Sequence, residues 1–460
     1  MSNYDKNLDK NEANYVPLTP LSFLKRAKDV YPNYEAIVYE DRKYTWSEIY
    51  KRAIKFASAL EKVGVSKGDT VSFLAFNTPE IFEAHYSVPM TGAVLNTINI
   101  RLDANTILYI LKHSDAKVLV VDKQIKVEVK KALSKLDKKI IVIDIHDNFA
   151  DQSKLKKIGD LEYESFLSTG DDDYVWKMPN DEWQAISLSY TSGTTGNPKG
   201  VMLSHGGILS NCEGAQEILE KLIKKDFPVF LTWLPLSHSY EHTVQYVQIL
   251  LGAKIFYAES LEKLLPNMLV AKPTIMTAVP RFYQNLYSKI SLNFSKQRGF
   301  KKKLIENTIF LGVKILNKER LNFSEKITNF LCELLVRKKI KNQFGGKLKA
   351  FVSGGGALDQ KIGEFLNSIG LPTLQGYGLT ETSPVVSCNI PEKIKIETVG
   401  PPFKTNEVKI ADDGEILVKG ENVMLGYWNM KKETEEVIQD GWLHTGDIGE
   451  ITKDGNLKIT

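Results

Sequence analysis

Short, uninterrupted apolar runs recur along the first 150 residues and alternate with stretches of helical character. Lys117–Asp122 and Lys139–Asp144 each contain four apolar residues in a row, and Ala36–Tyr39 and Thr70–Ala75 are similar runs. Between the last two lies Trp46–Val63, a helical stretch that ends at a glycine. Runs this short and this apolar are typical of strands buried on both faces of a parallel sheet, whose connections are usually helices. The pattern predicts an α/β fold.

The alternation resumes in the second half of the chain. Strand candidates are Ala253–Tyr257, Ile275–Val279 and Leu348–Val352, and from about residue 391 short strands alternate with turns. We predict two doubly wound α/β subdomains followed by a small antiparallel β-barrel-like unit. The predicted divisions are an N-terminal tail (1–17), a first α/β region (18–180), a second α/β region (181–390) with a basic helical insert (289–349), and the β unit (391–460).

Composition excludes several classes of protein. No apolar run approaches the roughly 18 residues of a membrane-spanning helix, and residues 1–15 lack the apolar core of a signal peptide. Cys212, Cys332 and Cys388 lie far apart, which argues against a zinc site and a disulfide framework. We therefore expect a cytoplasmic protein.

The formal net charge of +4 is unevenly distributed. Between Lys289 and Lys349 the chain carries sixteen Lys or Arg residues and four Glu residues, a net charge of +12. Apolar residues interleave with these charges, which indicates basic amphipathic helices. Either these helices have an ordinary solvated face, or they contact an anionic membrane from the inner side. A nucleic-acid surface is disfavoured because no nucleic-acid motif accompanies the charge.

Residues 190–200, Y-T-S-G-T-T-G-N-P-K-G, follow the apolar run Ala185–Leu188. Glycines let backbone N–H groups approach an anion, hydroxyls donate further hydrogen bonds, and Lys199 supplies a positive charge. The spacing is not that of a Walker A loop, because the fifth residue after Gly193 is Pro198. The alternative is an ordinary polar surface turn.

Two further apolar runs lead into glycine-rich segments, Ser353–Ala357 and Gln375–Glu381. Ligands of open α/β sheets collect beyond the carboxyl ends of strands, so one shared cleft is expected. A flat adenine could lie against the bare backbone of Gly354, Gly355 and Gly356, with Tyr377 on its other face. Thr380 could donate to an α-phosphate, Glu381 offers an oxygen ligand for Mg²⁺, and Asp447 could accept both ribose hydroxyls unless it is a turn residue.

In order along the chain, six motifs resemble those of the adenylate-forming superfamily, and within it long-chain fatty acyl-CoA synthetases most. They are the 190–200 loop, L-P-L-S-H (234–238), Q-G-Y-G-L-T-E-T (375–382), G-E-I-L-V-K-G (414–420), V-M-L-G-Y-W (423–428) and D-G-W-L-H-T-G-D-I (440–448). The resemblance implies that a carboxylate attacks the α-phosphate of ATP to give acyl-AMP and pyrophosphate, and that CoA then displaces AMP.

The resemblance also implies roles for individual residues. The loop would hold the β- and γ-phosphates, Thr191 and Glu381 would bind Mg²⁺, and His238 would lie beside the acyl carboxylate unless it is a buried structural histidine. Tyr240, Val279 and Pro280 would be walls of an acyl pocket. The ATP-binding set is Thr191, Ser192, Gly193, Thr194, Thr195, Gly196, Lys199, Gly354, Gly355, Gly356, Gly376, Tyr377, Gly378, Thr380 and Asp447, and the catalytic set is Lys199, His238, Thr380 and Glu381.

Two departures from the family pattern shape the expectations. The sequence stops at Thr460, where the family continues into a hinge and a lid domain, so we expect a large N-terminal domain that binds ATP and fatty acid but turns over poorly. Residues up to about 200 resemble the medium-chain branch, whereas those from Met202 resemble the long-chain branch. A ligase for medium-chain acids, a ligase that uses a carrier protein, and a catalytically silent ATP- or acyl-binding module remain as alternatives.

Overall fold

The computed structural model describes residues 9–11, 13–151, 153, 155–191, 196–223, 227–258 and 260–460. Its strands in chain order are β1 (Glu35–Tyr39), β2 (Arg42–Thr45), β3 (Thr70–Leu74), β4 (Val94–Thr97), β5 (Val118–Asp122), β6 (Ile141–Ile145), β7 (Leu161–Glu162), β8 (Ala185–Thr191), β9 (Lys199–Ser204), β10 (Val229–Thr232), β11 (Lys254–Tyr257), β12 (Ile275–Ala278), β13 (Ala350–Ser353), β14 (Thr373–Gly378), β15 (Val385–Cys388), β16 (Asn406–Ile410), β17 (Glu415–Gly420), β18 (Gly426–Tyr427), β19 (Ile438–Gln439), β20 (Trp442–Ile451) and β21 (Leu457–Ile459).

The helices that connect and cover these strands are α1 (Leu21–Val30), α2 (Trp46–Lys62), α3 (Pro79–Met90), α4 (Ala104–His113), α5 (Lys126–Leu133), α6 (Tyr163–Leu167), α7 (His205–Ile223), α8 (Ser239–Leu250), α9 (Leu264–Ala271), α10 (Pro280–Ser295), α11 (Gly299–Leu316), α12 (Phe323–Cys332), α13 (Lys338–Gln343), α14 (Gln360–Ser368) and α15 (Lys431–Val437). A π-helical turn, Glu333–Arg337, joins α12 to α13.

Helix α2 illustrates how local sequence and burial agree. Thr45 accepts a hydrogen bond from the Glu48 backbone N–H, and the Glu48 side chain accepts one from the Thr45 N–H, which together form a capping box. The helix then buries Trp46 and Phe56 completely in the largest core cluster. Its start and its buried face are therefore both encoded locally.

The first sheet has the strand order β18-β9-β8-β4-β3-β5-β6-β7. Strands β4, β3, β5 and β6 pair in parallel, which confirms the interpretation of the short apolar runs at 117–122 and 139–144. Strands β8 and β9 form an antiparallel hairpin at one end of this parallel core. Residues 190–200 therefore connect two strands of the same sheet.

The second sheet has the order β15-β14-β13-β12-β10-β11-β1-β2 and is also largely parallel. Strands β1 and β2 come from the beginning of the chain but belong to this second sheet, where β1 pairs with β11 and β2 pairs with β1. Strands β8 and β9 come from after residue 181 but belong to the first sheet. Both sheets thus cross the predicted boundary between residues 180 and 181. The division into domains stays a prediction.

The third sheet is antiparallel and contains β16, β17, β20, β19 and β21. The pairing of its described strands leaves it open, so the barrel-like part of the prediction is wrong. Strand β18 lies in sequence between β17 and β19 of this sheet but pairs with β9 of the first sheet. This pairing brings residues 426 and 427 beside the 190–200 hairpin.

The basic segment 289–349 is helical as predicted, with the end of α10, then α11, α12 and α13. Within the described residues no helix is both long enough and apolar enough to span a bilayer.

Candidate active site

The β8–β9 hairpin places Thr191 directly opposite Lys199, so the two ends of the predicted phosphate loop are cross-strand neighbours. Both residues line the same cavity, as does Gly196. Ser192, Gly193, Thr194 and Thr195, which belong to the same predicted loop, lie outside the described residues. The hairpin explains why a strand precedes the loop and why Lys199 begins the next one.

Tyr427 connects two predicted catalytic residues. Its hydroxyl donates a hydrogen bond to Glu381 Oε1 over 2.8 Å, and Lys199 Nζ lies 4.7 Å from the centroid of its ring. The backbone fixes this arrangement, because Tyr427 pairs with Val201 in the sheet and Met424 N–H donates to the Glu381 carbonyl over 2.8 Å. Lys199 and Glu381 therefore both contact Tyr427, Lys199 through the ring and Glu381 through the hydroxyl.

At each position of the glycine triplet after β13, the local structure favours glycine over a residue with a side chain. A Cβ at Gly354 would lie 2.9 Å from ring atoms of Tyr240, and Gly355 and Gly356 have φ angles of +73° and +151°, which disfavour other residues. Tyr240 is buried, and its hydroxyl donates to the Val352 carbonyl over 3.2 Å. The bare backbone predicted to face adenine is therefore backed by the Tyr240 ring.

Strand β14 extends further than the sequence indicated, so Gly376, Tyr377 and Gly378 lie in a strand and not in a loop. A Cβ at Gly376 would lie 3.2 Å from the Ser387 carbonyl oxygen, and one at Gly378 would lie 1.9 Å from the Pro384 carbonyl oxygen. These glycines thus allow the neighbouring chain around β15 to approach closely.

Tyr377 donates a hydrogen bond to Asp447 Oδ2 over 2.7 Å. Burial, followed by the Asp447 contact, raises the pKa of Tyr377 far above its ordinary value, so the hydroxyl keeps its proton. Asp447 is held in turn by Thr445, whose hydroxyl accepts from the Asp447 N–H over 3.1 Å. The residues predicted for adenine and ribose are therefore linked directly, although Asp447 itself is not among the cavity-lining residues.

His238 caps the N-terminus of α8, where its Nδ1 accepts from the Tyr240 N–H over 3.3 Å. His238 is exposed and lines the cavity, so it is not a buried structural histidine. The protein around the ring partly displaces water and lowers the pKa of His238 below its ordinary value, so the ring is neutral at pH 7. An accepting Nδ1 leaves the proton on Nε2. His238 thus presents a neutral N–H donor in the cavity wall.

Three further hydrogen bonds fix the segment around His238. The Asn77 side chain donates to the Leu234 carbonyl over 2.7 Å and accepts from the Leu236 N–H over 3.0 Å. Ser239 Oγ lies 3.0 Å from Thr380 Oγ1. The loop after β10 is therefore tied both to the first sheet and to the predicted α-phosphate contact.

All of these elements surround one cavity of about 970 Å³. Three predicted site residues do not line it: Val279, Pro280 and Gly356. A Cβ at Gly355 would lie 3.6 Å from Val279, and a Cβ at Gly356 would lie 3.5 Å from Pro280. Predicted site residues that line it are Thr191, Gly196, Lys199, His238, Tyr240, Gly354, Gly355, Gly376, Tyr377, Gly378, Thr380 and Glu381. Its apolar part is lined by Ala215, Ile218, Leu219, Phe230, Val244, Val247 and Ile275.

Four residues of the site have no role predicted from the sequence: Asn77, Ser239, Tyr427 and Thr445. Tyr427 lies in one of the six motifs, so a signal was present for it. Asn77 comes three residues after the end of strand β3 and lies in none of the six motifs. Ser239 lies beside His238, and Thr445 lies close to Asp447. Each also has a partner from a distant part of the chain, Thr380 for Ser239 and the Ile416 carbonyl for Thr445.

Comparison with known proteins agrees with this geometry. A family model described as AMP-binding enzyme matches residues 24–428. The peroxisomal benzoate–CoA ligase of Arabidopsis thaliana is 31% identical over 97% of this chain and 74% of its own length. Fatty acyl-CoA synthetase A of Dictyostelium discoideum is 32% identical over 89% of this chain and 63% of its own length.

Among solved structures, the anthranilate CoA ligase AuaEII in complex with anthranoyl-AMP superposes with a TM-score of 0.75. That match is 20% identical and covers 98% of this chain and 79% of the ligase, so it shows a shared fold. The family match covers most of the residues that build the cavity. The chain belongs to the family of AMP-binding enzymes.

Proposed function

We propose that this chain is an AMP-forming acid–CoA ligase that activates a long-chain fatty acid. The acid carboxylate would attack the ATP α-phosphate, pyrophosphate would leave, and the CoA thiol would then displace AMP from the acyl-AMP. The proposal rests mainly on one observation about the cavity. Polar residues at the ends of β8, β13 and β14 and a set of apolar side chains line the same cavity. A nucleotide and an acyl chain can therefore meet within one site.

At the nucleotide end, Lys199 and the hydroxyls of the 190–200 loop would hold the phosphates that leave. Thr380 would donate to the α-phosphate, and Tyr377 with the Gly354–Gly356 backbone would enclose adenine. Asp447 accepts from Tyr377 through Oδ2, so its Oδ1 would be the oxygen for the ribose. Catalysis in such a site is mainly positioning and charge neutralisation.

Mg²⁺ belongs to the same proposal. Thr191 and Glu381 line the cavity together, and Tyr427 occupies only Oε1 of the Glu381 carboxylate. A hydroxyl and a carboxylate oxygen are the ligands that Mg²⁺ prefers, and the ion usually takes its other ligands from phosphates and water. The described residues contain no group of three or more His, Cys, Asp or Glu that could hold a metal ion. The ion would neutralise phosphate charge.

At the acid end, the Nε2 proton of His238 would be donated to a carboxylate oxygen, which orients the nucleophile. The Tyr240 ring lies against Gly354 and lines the same cavity as His238. Beyond them the lining from α7, α8, β10 and β12 is apolar, which favours an alkyl chain. Walls formed by Val279 and Pro280 remain part of the proposal, although both residues lie behind Gly355 and Gly356.

The test is acid-dependent pyrophosphate release from ATP and Mg²⁺ with benzoate, butyrate, octanoate and palmitate, followed by thioester formation with CoA. We expect the highest kcat/KM with palmitate, and a decrease on the order of 10²–10³-fold for Lys199→Ala and for Glu381→Gln. Ile218→Phe, which narrows the apolar part, should reduce activity with palmitate more than with butyrate. Ile223→Phe is the matched control, since Ile223 is buried on the same helix but does not line the cavity.

Three results would replace this proposal. Preference for benzoate would assign an aromatic acid, and transfer to a phosphopantetheine carrier in place of CoA would assign another acceptor. Binding of ATP without pyrophosphate release for any acid would leave a silent binding module. A cytoplasmic location, supported by three buried free cysteines, completes the proposal.

A further inference from the structure

An apolar stripe is exposed along the helix that starts at α12 and continues through the π-helical turn. Phe323 is 80% exposed and Phe330 63% exposed. The spacing of the stripe residues places them on one face, whereas Cys332, Val336 and Ile340 are buried on the other. The fold therefore uses the second face for packing and leaves the stripe uncovered. The members of this apolar stripe are Phe323, Ile327, Phe330, Leu331, Leu334 and Leu335.

The neighbouring helix α11 extends this surface. Lys314 of α11 forms an ion pair with Glu325 of α12 at 2.8 Å, and its Nζ lies 5.6 Å from the centroid of the Phe310 ring. Phe310 is itself exposed. The stripe therefore belongs to the outer surface of a two-helix unit.

Unpaired positive charge surrounds the stripe. Lys318, Arg320, Lys326, Lys338 and Lys339 are exposed, and no carboxylate of the described residues lies within 4.0 Å of their charged groups. The segment from 289 to 349 carries a net charge of +12. Exposed apolar side chains flanked by unpaired cations complement a surface that is anionic outside and apolar beneath.

We propose that the α11–α12 surface docks onto an anionic lipid bilayer. The apolar stripe enters the boundary between headgroups and acyl chains, and the flanking lysines and Arg320 contact lipid phosphates. The stripe runs along the helix axis, so the helix lies parallel to the membrane plane. This inference does not depend on the proposed reaction, although a membrane-docked ligase would take its acid from the lipid phase.

The test is co-sedimentation of the full chain with two kinds of large unilamellar vesicle. One kind is phosphatidylcholine alone, and the other also contains roughly 30 mole per cent of the anionic lipid phosphatidylglycerol. We expect binding to the anionic vesicles, weaker binding to the neutral ones, and a decrease with added salt. The double substitution Phe323→Ser and Phe330→Ser should weaken binding by about tenfold or more. Lys338→Glu with Lys339→Glu should remove the preference for anionic vesicles.

Matched controls come from other surfaces of the chain. Trp183 is 63% exposed, as Phe330 is, and Trp183→Ser should bind vesicles like the wild type. Lys431→Glu on α15 controls for charge reversal. Equal binding to neutral and anionic vesicles, or an equal loss with Trp183→Ser, would overturn the proposal. So would self-association of the lipid-free chain that Phe330→Ser abolishes, because it would assign the stripe to a second copy.

Discussion

The Tyr427 hydroxyl donates to Glu381 Oε1 over 2.8 Å while the Tyr427 ring lies 4.7 Å from Lys199 Nζ. One side chain thus orients a carboxylate through its hydroxyl and attracts an ammonium group through its ring face. This arrangement depends on strand β18, which lies in sequence between two strands of the third sheet but pairs with β9 of the first sheet. A residue from near the end of the chain therefore positions two groups of the proposed nucleotide site.

Replacement of Tyr427 by Phe should test that relationship. The ring and its contact with Lys199 remain, but Glu381 loses a hydrogen bond to its charged oxygen. We expect kcat for pyrophosphate release to fall roughly tenfold with little change in the free energy of unfolding. A raised Mg²⁺ requirement would distinguish positioning of Glu381 from a general structural defect. Tyr34→Phe, at an exposed tyrosine, is the control, and equal kinetics for both variants would contradict the account.

Asn77→Ala should act through the acid end of the site. It removes the two hydrogen bonds that tie the Leu234–His238 segment to the first sheet, so His238 is less well placed. We expect kcat/KM for the acid to fall about tenfold while the Kd for ATP is unchanged. Asn77→Asp keeps the acceptor for the Leu236 N–H and should recover part of the loss. If Asn77→Ala weakens ATP binding equally, the effect is not confined to the acid end.

A double-mutant cycle should expose the packing of Gly354 against Tyr240. An added methyl at Gly354 would lie 2.9 Å from the ring, so Gly354→Ala should lower the free energy of unfolding by about 1–3 kcal/mol. In a Tyr240→Leu background the same change should cost less, because the ring is gone. Urea denaturation gives both values, and Gly196→Ala, where a Cβ meets nothing within 4 Å, is the control. Additive effects would contradict direct contact.

His85 should contribute to the pH dependence of stability. Burial lowers the pKa of His85 to about 4 in the folded chain, whereas an exposed histidine has a pKa near 6.5. Between these values the unfolded chain binds the extra proton, so stability falls as the pH falls from about 6.5 to about 4. The contribution is up to roughly 3 kcal/mol. His85→Asn removes this ionisable group, and urea denaturation at several pH values should show a shallower decrease than in the wild type. Parallel curves would contradict the burial effect.

The sequence predicted the elements whose signal is local. The apolar runs at 117–122 and 139–144 became parallel strands, and the segment from Trp46 to Val63 became a helix that ends one residue earlier. The barrel-like closure of the last unit was wrong, because the pairing of its described strands leaves the third sheet open. Pairing between distant segments has no local signature, so β1 beside β11 was also missed.

In the candidate site, too, the residues with a local sequence signal were predicted and the contacts between distant segments were not. Motif composition singled out Lys199, Glu381, Tyr377 and Asp447, and the structure brings them together around or beside one cavity. The contact that joins Asn77 to Leu234 and Leu236 crosses between the two sheets, so only the fold reveals it. The exposure of the apolar stripe likewise depends on which helix face the core uses.

The most direct measurement is a crystal structure of the chain with a non-hydrolysable palmitoyl-adenylate analogue. The account predicts adenine between Tyr377 and the Gly354–Gly356 backbone, the acyl linkage beside His238 and Thr380, and the alkyl chain against α7 and α8. An analogue bound with its alkyl chain outside the apolar lining of Ile218 and Phe230, or with adenine away from Tyr377, would contradict the claim that one cavity holds both substrates.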